Sequence, residues 1–194
     1  MIRELKNPCT QEYKTLKTYV QGPDMPWYYH STTVAPPTIK HIGEEEDLLD
    51  IPFYSHTLLQ RPNSARGKLY SEITSTIFEM AYEVLKQILE YNDINVSVIY
   101  RLNFNSTCYS KNKKSYYHKD LDDIPHENII IYMSKFGDGE TYVKDGEKEI
   151  LSTPTEDGVI LFGGSLYHCQ AVPKEDERRI VMVGNIHEVV SVNK

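Results

Sequence analysis

The stretch INVSVIYRLNFN, residues 94–105, decides the fold class of this chain. Along it, apolar side chains at even positions alternate with mainly polar side chains at odd positions. The even positions are Ile94, Val96, Val98, Tyr100, Leu102 and Phe104, and the odd positions are Asn95, Ser97, Ile99, Arg101, Asn103 and Asn105. Period two is the pattern of a β-strand, because successive side chains point to opposite faces of a sheet. It predicts a long strand with one apolar face and one increasingly polar face.

The C-terminal half continues as short β-segments separated by turn signals. We predict strands at 128–133, 141–143, 148–151, 159–162, 166–172 and 179–186. Asp145-Gly146 is typical of a tight hairpin turn, and Gly163-Gly164 provides a second turn signal. Many short strands with regular turn chemistry indicate a β-sandwich or jelly roll.

Upstream of residue 94, the pattern changes to a helical one. Residues 68–91 place apolar side chains at steps of three and four, which predicts one long helix on the outside of a sheet. Residues 1–67 contain several prolines, and we predict an irregular arm with one short helix at 12–20. In this arm, we expect the aromatic clusters 26–30 and 52–56 to pack on the core, with substrate contact as the alternative. The acidic run 43–47 is predicted to be a solvated loop. The prediction is one domain, with the arm 1–67 packed on a helix and β-core, 68–194.

Composition narrows the class of protein. The chain has 194 residues, 40% of them hydrophobic and 25% charged, which is ordinary for a globular domain. Its net charge of −7 argues against nucleic acid as a partner. It contains no apolar run of membrane-spanning length and no signal-peptide core. Three cysteines without a Cys-x-x-Cys pair are typical of reduced thiols, so we expect a cytoplasmic location, with a homodimer left open.

The segment YHKD, residues 117–120, places His118 and Asp120 two positions apart. In an extended segment their side chains share a face, roughly 6–7 Å apart along the chain, and can converge on one cation. By itself a His-x-Asp triplet is far more typical of a solvated turn than of a metal site. Downstream, His168 ends the apolar run 159–168. Two histidines and one carboxylate with open positions form the facial triad of non-heme Fe(II) sites. Cys169 faces the opposite side of that strand, so we expect it to pack.

Two further groups of polar residues have open interpretations. The polar face of the first long strand is formed by Arg101, Asn103 and Asn105. This face is either solvated, or it lines the cavity of the triad and helps to bind cosubstrate or substrate. The loop 106–115 is predicted to be mobile, with lysines that are solvated or that screen an anionic substrate. Three more histidines have no partner at ligand spacing: His30, His41 and His56.

The order of motifs from residue 96 to residue 186 resembles the Fe(II)/2-oxoglutarate-dependent oxygenases, in particular their prolyl-hydroxylase-like branch. It is also similar to small uncharacterised oxygenases of marine phages and bacteria. The motifs are His118-Lys119-Asp120, 129–135, Gly139-Glu140-Thr141, 158–162, His168 and 178–181. Three features depart from the family. The gap from His168 to the arginine pair is slightly longer than in prolyl hydroxylases, Val181 replaces a common serine, and the signature of nucleic-acid demethylases is not clearly present.

The resemblance implies a mainly β fold with flanking helices, namely a double-stranded β-helix (a cupin-like jelly roll). It implies that His118, Asp120 and His168 bind Fe(II), and that 2-oxoglutarate chelates the iron. The distal carboxylate of 2-oxoglutarate would meet Tyr132 and an arginine of the last strand. The implied reaction is hydroxylation of a small molecule or peptide, with release of succinate and CO2.

Two arginines compete for that carboxylate. Arg178 and Arg179 precede the last apolar strand, and alternation places them on opposite faces. Arg178 adjoins a charged loop, whereas Arg179 abuts the apolar run and is better placed to need an anionic partner. We therefore assign the carboxylate to Arg179, with Arg178 as the alternative.

A protein of another functional class could have the same fold. A cupin-like metal- or sugar-binding module without oxygenase activity would retain the barrel, with His118 and His168 as ligands. The arginine after the last histidine favours the oxygenase, because a module without the cosubstrate does not need a buried guanidinium there.

Overall fold

The computed structural model describes residues 1–33, 51–63, 67–121 and 124–189. Within these ranges the chain forms two helices, α1 (Gln11–Gln21) and α2 (Phe78–Tyr91). The strands are β1 (Arg3–Leu5), β2 (Tyr28–His30), β3 (Phe53–Gln60), β4 (Glu72–Ile73), β5 (Val96–Cys108), β6 (Glu127–Tyr132), β7 (Thr141–Asp145), β8 (Lys148–Ser152), β9 (Val159–Gly163), β10 (Tyr167–Gln170) and β11 (Arg178–Glu188). No helix in the described residues is long and apolar enough to span a bilayer.

The strands form two antiparallel sheets. The larger sheet has the order β1-β9-β6-β11-β5-β3-β2, with β4 on the side of β3, and the smaller sheet has the order β10-β7-β8. Their inner faces meet in an apolar cluster that includes Val143 of the smaller sheet and Val181 of the larger one. The predicted mainly β jelly roll with flanking helices is confirmed, and the six C-terminal strands lie within a few residues of their predicted positions.

The two helices cover the outer face of the larger sheet. Between the helices and this face lies the outer core. It contains Leu16 of α1, Leu85 and Ile88 of α2, and sheet residues that face the helices, such as Phe104 and Met182. An amphipathic helix buries its apolar stripe in this way, leaving its polar face in water. The prediction that a helix packs on the outside of one sheet is therefore confirmed.

The predicted length of this helix is wrong. The helix begins at Phe78 and not at residue 68, and Leu69 and Ile73 are 68% and 56% exposed. Thr74 instead pairs with β3, because its N–H donates to the carbonyl of Leu58 and its hydroxyl donates to that of Thr57. Serine and threonine compete for backbone bonds in this way and disfavour a helix interior. The helical spacing over 68–77 is therefore coincidental.

The arm 1–67 is not irregular in its described part. The short helix predicted at 12–20 is present as α1, while β1 pairs with β9, and β3 pairs with β5 as part of the larger sheet. Trp27 packs against the outer core, as expected of an anchor for this segment. The packing predicted for the rest of the two aromatic clusters is wrong for Tyr28, Tyr29 and Tyr54, which are exposed. The acidic run 43–47 and His41 lie outside the described residues.

The alternation of β5 is interrupted by an irregularity in its pairing with β11. Asn185 pairs with Arg101, but the next residue, Ile186, pairs with Ile99, so one residue of β5 is skipped. Ile99 therefore packs toward the helices, while Val98 is 41% exposed, contrary to the simple period of two. A β-bulge shifts side chains between faces in this manner. Beyond it, β5 extends to Cys108, into the segment predicted as loop.

The corrected helix boundary predicts that two Ile→Ala substitutions lower the free energy of unfolding by different amounts. Ile88→Ala should reduce the free energy of unfolding by about 2–5 kcal/mol, because Ile88 is buried in the outer core. Ile73→Ala should change it by less than about 0.5 kcal/mol, because that side chain is largely exposed. Urea unfolding measures both variants. A similar large cost for both would contradict the boundary at Phe78.

Candidate metal centre

The backbone brings the two predicted histidine ligands side by side. His118 lies in the segment between β5 and β6, and it pairs with His168 of β10 through two reciprocal backbone hydrogen bonds of 2.9 Å. The same segment pairs with β10 at Ser115, whose N–H donates to the carbonyl of Gln170. The centroids of the two imidazole rings are 4.5 Å apart. The two ligands therefore sit on neighbouring extended segments.

Asp120 completes the group. His118 Nε2 lies 3.9 Å from Asp120 Oδ1, and His168 Nε2 lies 4.0 Å from Asp120 Oδ2. One ligand atom from each residue lies within 4.8 Å of the others, which is the spacing of donors around one ion. The convergence predicted from the sequence is therefore confirmed. His30 and His56 join no such group among the described residues.

Each imidazole is oriented by a backbone carbonyl. Nδ1 of His118 lies 3.1 Å from the carbonyl of Tyr116, and Nδ1 of His168 lies 3.4 Å from that of Leu166. A hydrogen bond from Nδ1 to a carbonyl selects the tautomer in which Nε2 has a free lone pair. Two such nitrogens and a carboxylate oxygen form a donor set that fits Fe(II).

The carboxylate of Asp120 is buried but well partnered. Arg101 donates to Oδ1 at 2.8 Å, and Asn185 donates to Oδ2 at 2.9 Å. Burial favours a higher pKa, but the guanidinium of Arg101 and the hydrogen bond from Asn185 act against it, so the pKa of Asp120 lies well below its usual range. The ligand is therefore ionised, as metal binding requires.

His168 is held in its neutral form. Burial, reinforced by the nearby charge of His118, lowers the pKa of His168 to about 4. A neutral imidazole is the form that binds a metal. Cys169, next to it in sequence, is buried on the opposite face, as expected, and burial raises the pKa of its thiol to about 12.

The polar face of β5 points toward the metal centre. Arg101 contacts Asp120 directly, and Asn103 is 1% exposed and donates to Asn105 Oδ1 at 2.6 Å. These two asparagines pair in register with inward residues of β11, Val183 and Val181. The structure thus favours a cavity-lining position over a solvated one, and the binding role remains a prediction.

The two candidate arginines have different surroundings. Arg179 is 2% exposed and lies in the interior, where it donates to the carbonyl of Gly139 at 3.0 Å, to Gln170 Oε1 at 2.6 Å and to Thr141 Oγ1 at 3.1 Å. The centroid of the Tyr132 ring lies 5.7 Å from Cζ of Arg179, and the Tyr132 hydroxyl forms a 2.9 Å hydrogen bond with the Thr141 hydroxyl. Within the described residues Arg179 forms no ion pair with a carboxylate, so this buried cation has only neutral partners.

Arg178 points to the other face. Its guanidinium lies over the ring of Trp27, 4.7 Å from the ring centroid, and it donates to Ser106 on β5. It is half-buried on the side of the larger sheet that packs against the helices. Alternation along β11 therefore separates the two arginines as predicted, with Arg179 alone facing the inner cavity.

Several polar residues of the site were missed from the sequence. Thr141 and Gln170 contact Arg179, and Asn185 contacts Asp120. Alternation could have found two of them, since Gln170 is two positions after His168 and Asn185 is six after Arg179. No sequence signal indicated Arg61, which donates to the backbone carbonyl of Asp120 from the end of β3. Lys114, predicted as a solvated loop residue, lies 3.6 Å from the centroid of the Tyr142 ring.

Comparisons with known proteins identify the fold. No protein-family model matches the sequence, and no curated protein matches it. A 2-oxoglutarate Fe(II) oxygenase-family protein from Burkholderia pseudomallei is 14% identical, with a TM-score of 0.61 over 84% of this chain and 74% of the other. A prolyl hydroxylase from Trichoplax adhaerens, solved with a peptide of hypoxia inducible factor, is 11% identical, with a TM-score of 0.56 over 96% and 83%.

A third similar structure is the non-heme α-ketoglutarate-dependent epimerase SnoN from nogalamycin biosynthesis. It is 8% identical, with a TM-score of 0.57 over 96% of this chain and 77% of the other. At these identities the likeness concerns the fold. The chain has the double-stranded β-helix fold of the 2-oxoglutarate Fe(II) oxygenases, and it contains a His-x-Asp…His triad.

Removal of one triad ligand should weaken metal binding. Asp120→Ala should lower the affinity for Fe(II) by more than about tenfold, because two neutral imidazoles then remain without an anionic ligand. His118→Ala should act in the same direction. Anaerobic calorimetry measures the affinities, with His187→Ala as the control, since His187 lies at the end of β11 beside the carbonyl of Pro125. Unchanged binding in His118→Ala would contradict the site.

Proposed function

We propose that this protein is an Fe(II)- and 2-oxoglutarate-dependent dioxygenase that hydroxylates its substrate with release of succinate and CO2. The observation that carries the proposal is the pairing of a candidate metal triad with a buried guanidinium whose partners, among the described residues, are all neutral. The two are adjacent, because Gln170 contacts Arg179 and lies two residues from His168 on β10. A single ligand could then chelate the metal at one end and pair its distal carboxylate with the guanidinium of Arg179.

The chain provides distinct groups for each end of that cosubstrate. His118, Asp120 and His168 would hold Fe(II), where dioxygen is the oxidant: one oxygen atom would go to the C–H bond of the substrate, and the other to 2-oxoglutarate as it is decarboxylated to succinate. Arg179 would pair with the distal carboxylate through charge-assisted hydrogen bonds, with Tyr132 and Thr141 beside it. Between the two ends, Val181 and Val183 present buried apolar side chains that exclude water from the cosubstrate.

The substrate would bind on the polar side of the same cavity. Asn103 and Asn105 offer amide groups on the inner face of β5, and we assign them to cosubstrate or substrate binding together with Arg101. A small molecule or a peptide fits the proposal better than nucleic acid, because the chain has a net charge of −7. The same buried Arg179 disfavours the alternative of a cupin-like binding module, which would have no ligand for it.

Two measurements test the proposed activity. Anaerobic addition of Fe(II) and 2-oxoglutarate should produce a weak visible charge-transfer band, because the cosubstrate would chelate the iron. A screen of small molecules and peptides for stimulated succinate formation would then identify the substrate class. Absence of the band under saturating conditions would favour the binding module.

The assignment of the distal carboxylate predicts unequal effects of two neighbouring arginines. Arg179→Ala should weaken 2-oxoglutarate binding by more than about tenfold, since loss of a buried charge-assisted pair costs roughly 2–5 kcal/mol. Arg178→Ala should change it little and serves as the matched control. The dissociation constant of 2-oxoglutarate is measured with the metal bound. The reverse ranking would show that the cosubstrate lies on the other face of β11.

A further inference from the structure

Gln170 connects the two sheets beside Arg179. Its side-chain Oε1 accepts from Nη1 of Arg179 at 2.6 Å, and its Nε2 donates to the hydroxyl of Thr107 at 3.1 Å. An arginine can only donate, so the atom of Gln170 that faces it must be the oxygen, and the orientation of the amide is fixed. Thr107 is in turn the cross-strand partner of Arg179 in the register of β5 and β11. One amide of the smaller sheet therefore holds two neighbouring side chains of the larger sheet.

The main chain of Gln170 is fixed by the segment that carries His118. The N–H of Gln170 donates to the hydroxyl of Ser115 at 3.1 Å, and its carbonyl accepts from the N–H of Ser115 at 2.9 Å. Gln170 also lies on β10, two residues after His168, so the two side chains share a face. The amide therefore projects from a fixed backbone position next to the triad and reaches Arg179.

The hydrogen bonds of Arg179 leave a defined set of donors. Of its five N–H groups, the one on Nε bonds to the carbonyl of Gly139, and one on Nη1 bonds to Gln170. A third, on Nη2, bonds to the hydroxyl of Thr141. One N–H remains on each terminal nitrogen, which is the number that a bidentate carboxylate accepts. The hydroxyl of Thr107, which accepts from Gln170, donates to no described residue and offers a further donor.

We propose that Gln170 is a positioning residue that prepares Arg179 to bind one carboxylate. Its amide fixes the guanidinium and Thr107 as donors, and its neutrality leaves the charge of the guanidinium uncompensated. A carboxylate on the side chain at position 170 would instead pair with the same nitrogen and compete with any bound anion. The inference rests on the proposed function, because the bound carboxylate is taken to be the distal group of 2-oxoglutarate.

Other roles of Gln170 predict different patterns. Glutamate has nearly the same shape as glutamine, so a role in packing alone predicts that Gln170→Glu binds 2-oxoglutarate like the native chain. A role in holding β10 predicts that any substitution disturbs His168, two residues away, and weakens metal binding as well. Our proposal predicts that Gln170→Glu and Gln170→Met weaken the binding of 2-oxoglutarate without weakening the binding of the metal alone.

The experiment is calorimetric titration of the full chain, first with Mn(II), a redox-stable probe, and then with 2-oxoglutarate at saturating Mn(II). For Gln170→Glu we expect 2-oxoglutarate to bind at least about thirtyfold more weakly, which is the effect of losing a buried charge-assisted pair. Gln170→Met keeps the length of the side chain without its hydrogen bonds, and we expect a loss of about three- to tenfold. Gln11→Glu, which adds the same charge at the exposed start of α1, is the matched control.

The outcomes separate this inference from the proposed function. Native affinity for 2-oxoglutarate in Gln170→Glu or in Gln170→Met overturns the inference while the proposed function stands, and so does a parallel loss of Mn(II) binding in both variants. A native chain with bound Mn(II) that binds no 2-oxoglutarate overturns the proposed function itself. Circular dichroism checks folding, and Gln170→Met carries the test if Gln170→Glu is unfolded.

Discussion

The reciprocal backbone pairing of His118 with His168 is the contact on which the site depends. It places a segment without regular strand structure beside β10, and so extends the smaller sheet by one irregular strand. Both imidazoles then project from neighbouring segments, and each is oriented by the carbonyl two residues before it. Because backbone bonds set this arrangement, the two nitrogen ligands are positioned before any ion binds.

The inner face of β11 arranges the cavity along its length. Arg179, Val181, Val183 and Asn185 alternate with residues that pack toward the helices, and they present in turn a cation, two apolar groups and an amide. Asn185 reaches Asp120 at one end, whereas Arg179 meets Tyr132 and Thr141 at the other. A single strand therefore connects the triad to the buried guanidinium of Arg179, and its period of two keeps both on the same side of the sheet.

The electrostatics of the interior differ from those of the whole chain. The protein has a net charge of −7, yet the described interior groups Asp120, Arg101 and Arg179 carry a net positive charge. Buried charges interact strongly because water screens them little, so their sign determines which ligands enter. The proposed dianionic cosubstrate would therefore complement this interior, although the chain as a whole is acidic.

The sequence by itself determined the β-sheet class, the triad and the separation of Arg178 from Arg179, because all depend on local alternation and chemically distinctive residues. Only the tertiary structure decided the start of α2, where pairing of Thr74 with β3 overrides a helical spacing, and the bulge in β5, where pairing with β11 breaks the alternation. It also decided which donors surround Asp120. Arg61 follows β3, whereas Arg101 lies on β5 and Asn185 on β11. Contacts between segments so far apart in sequence depend on strand register, which no local pattern encodes.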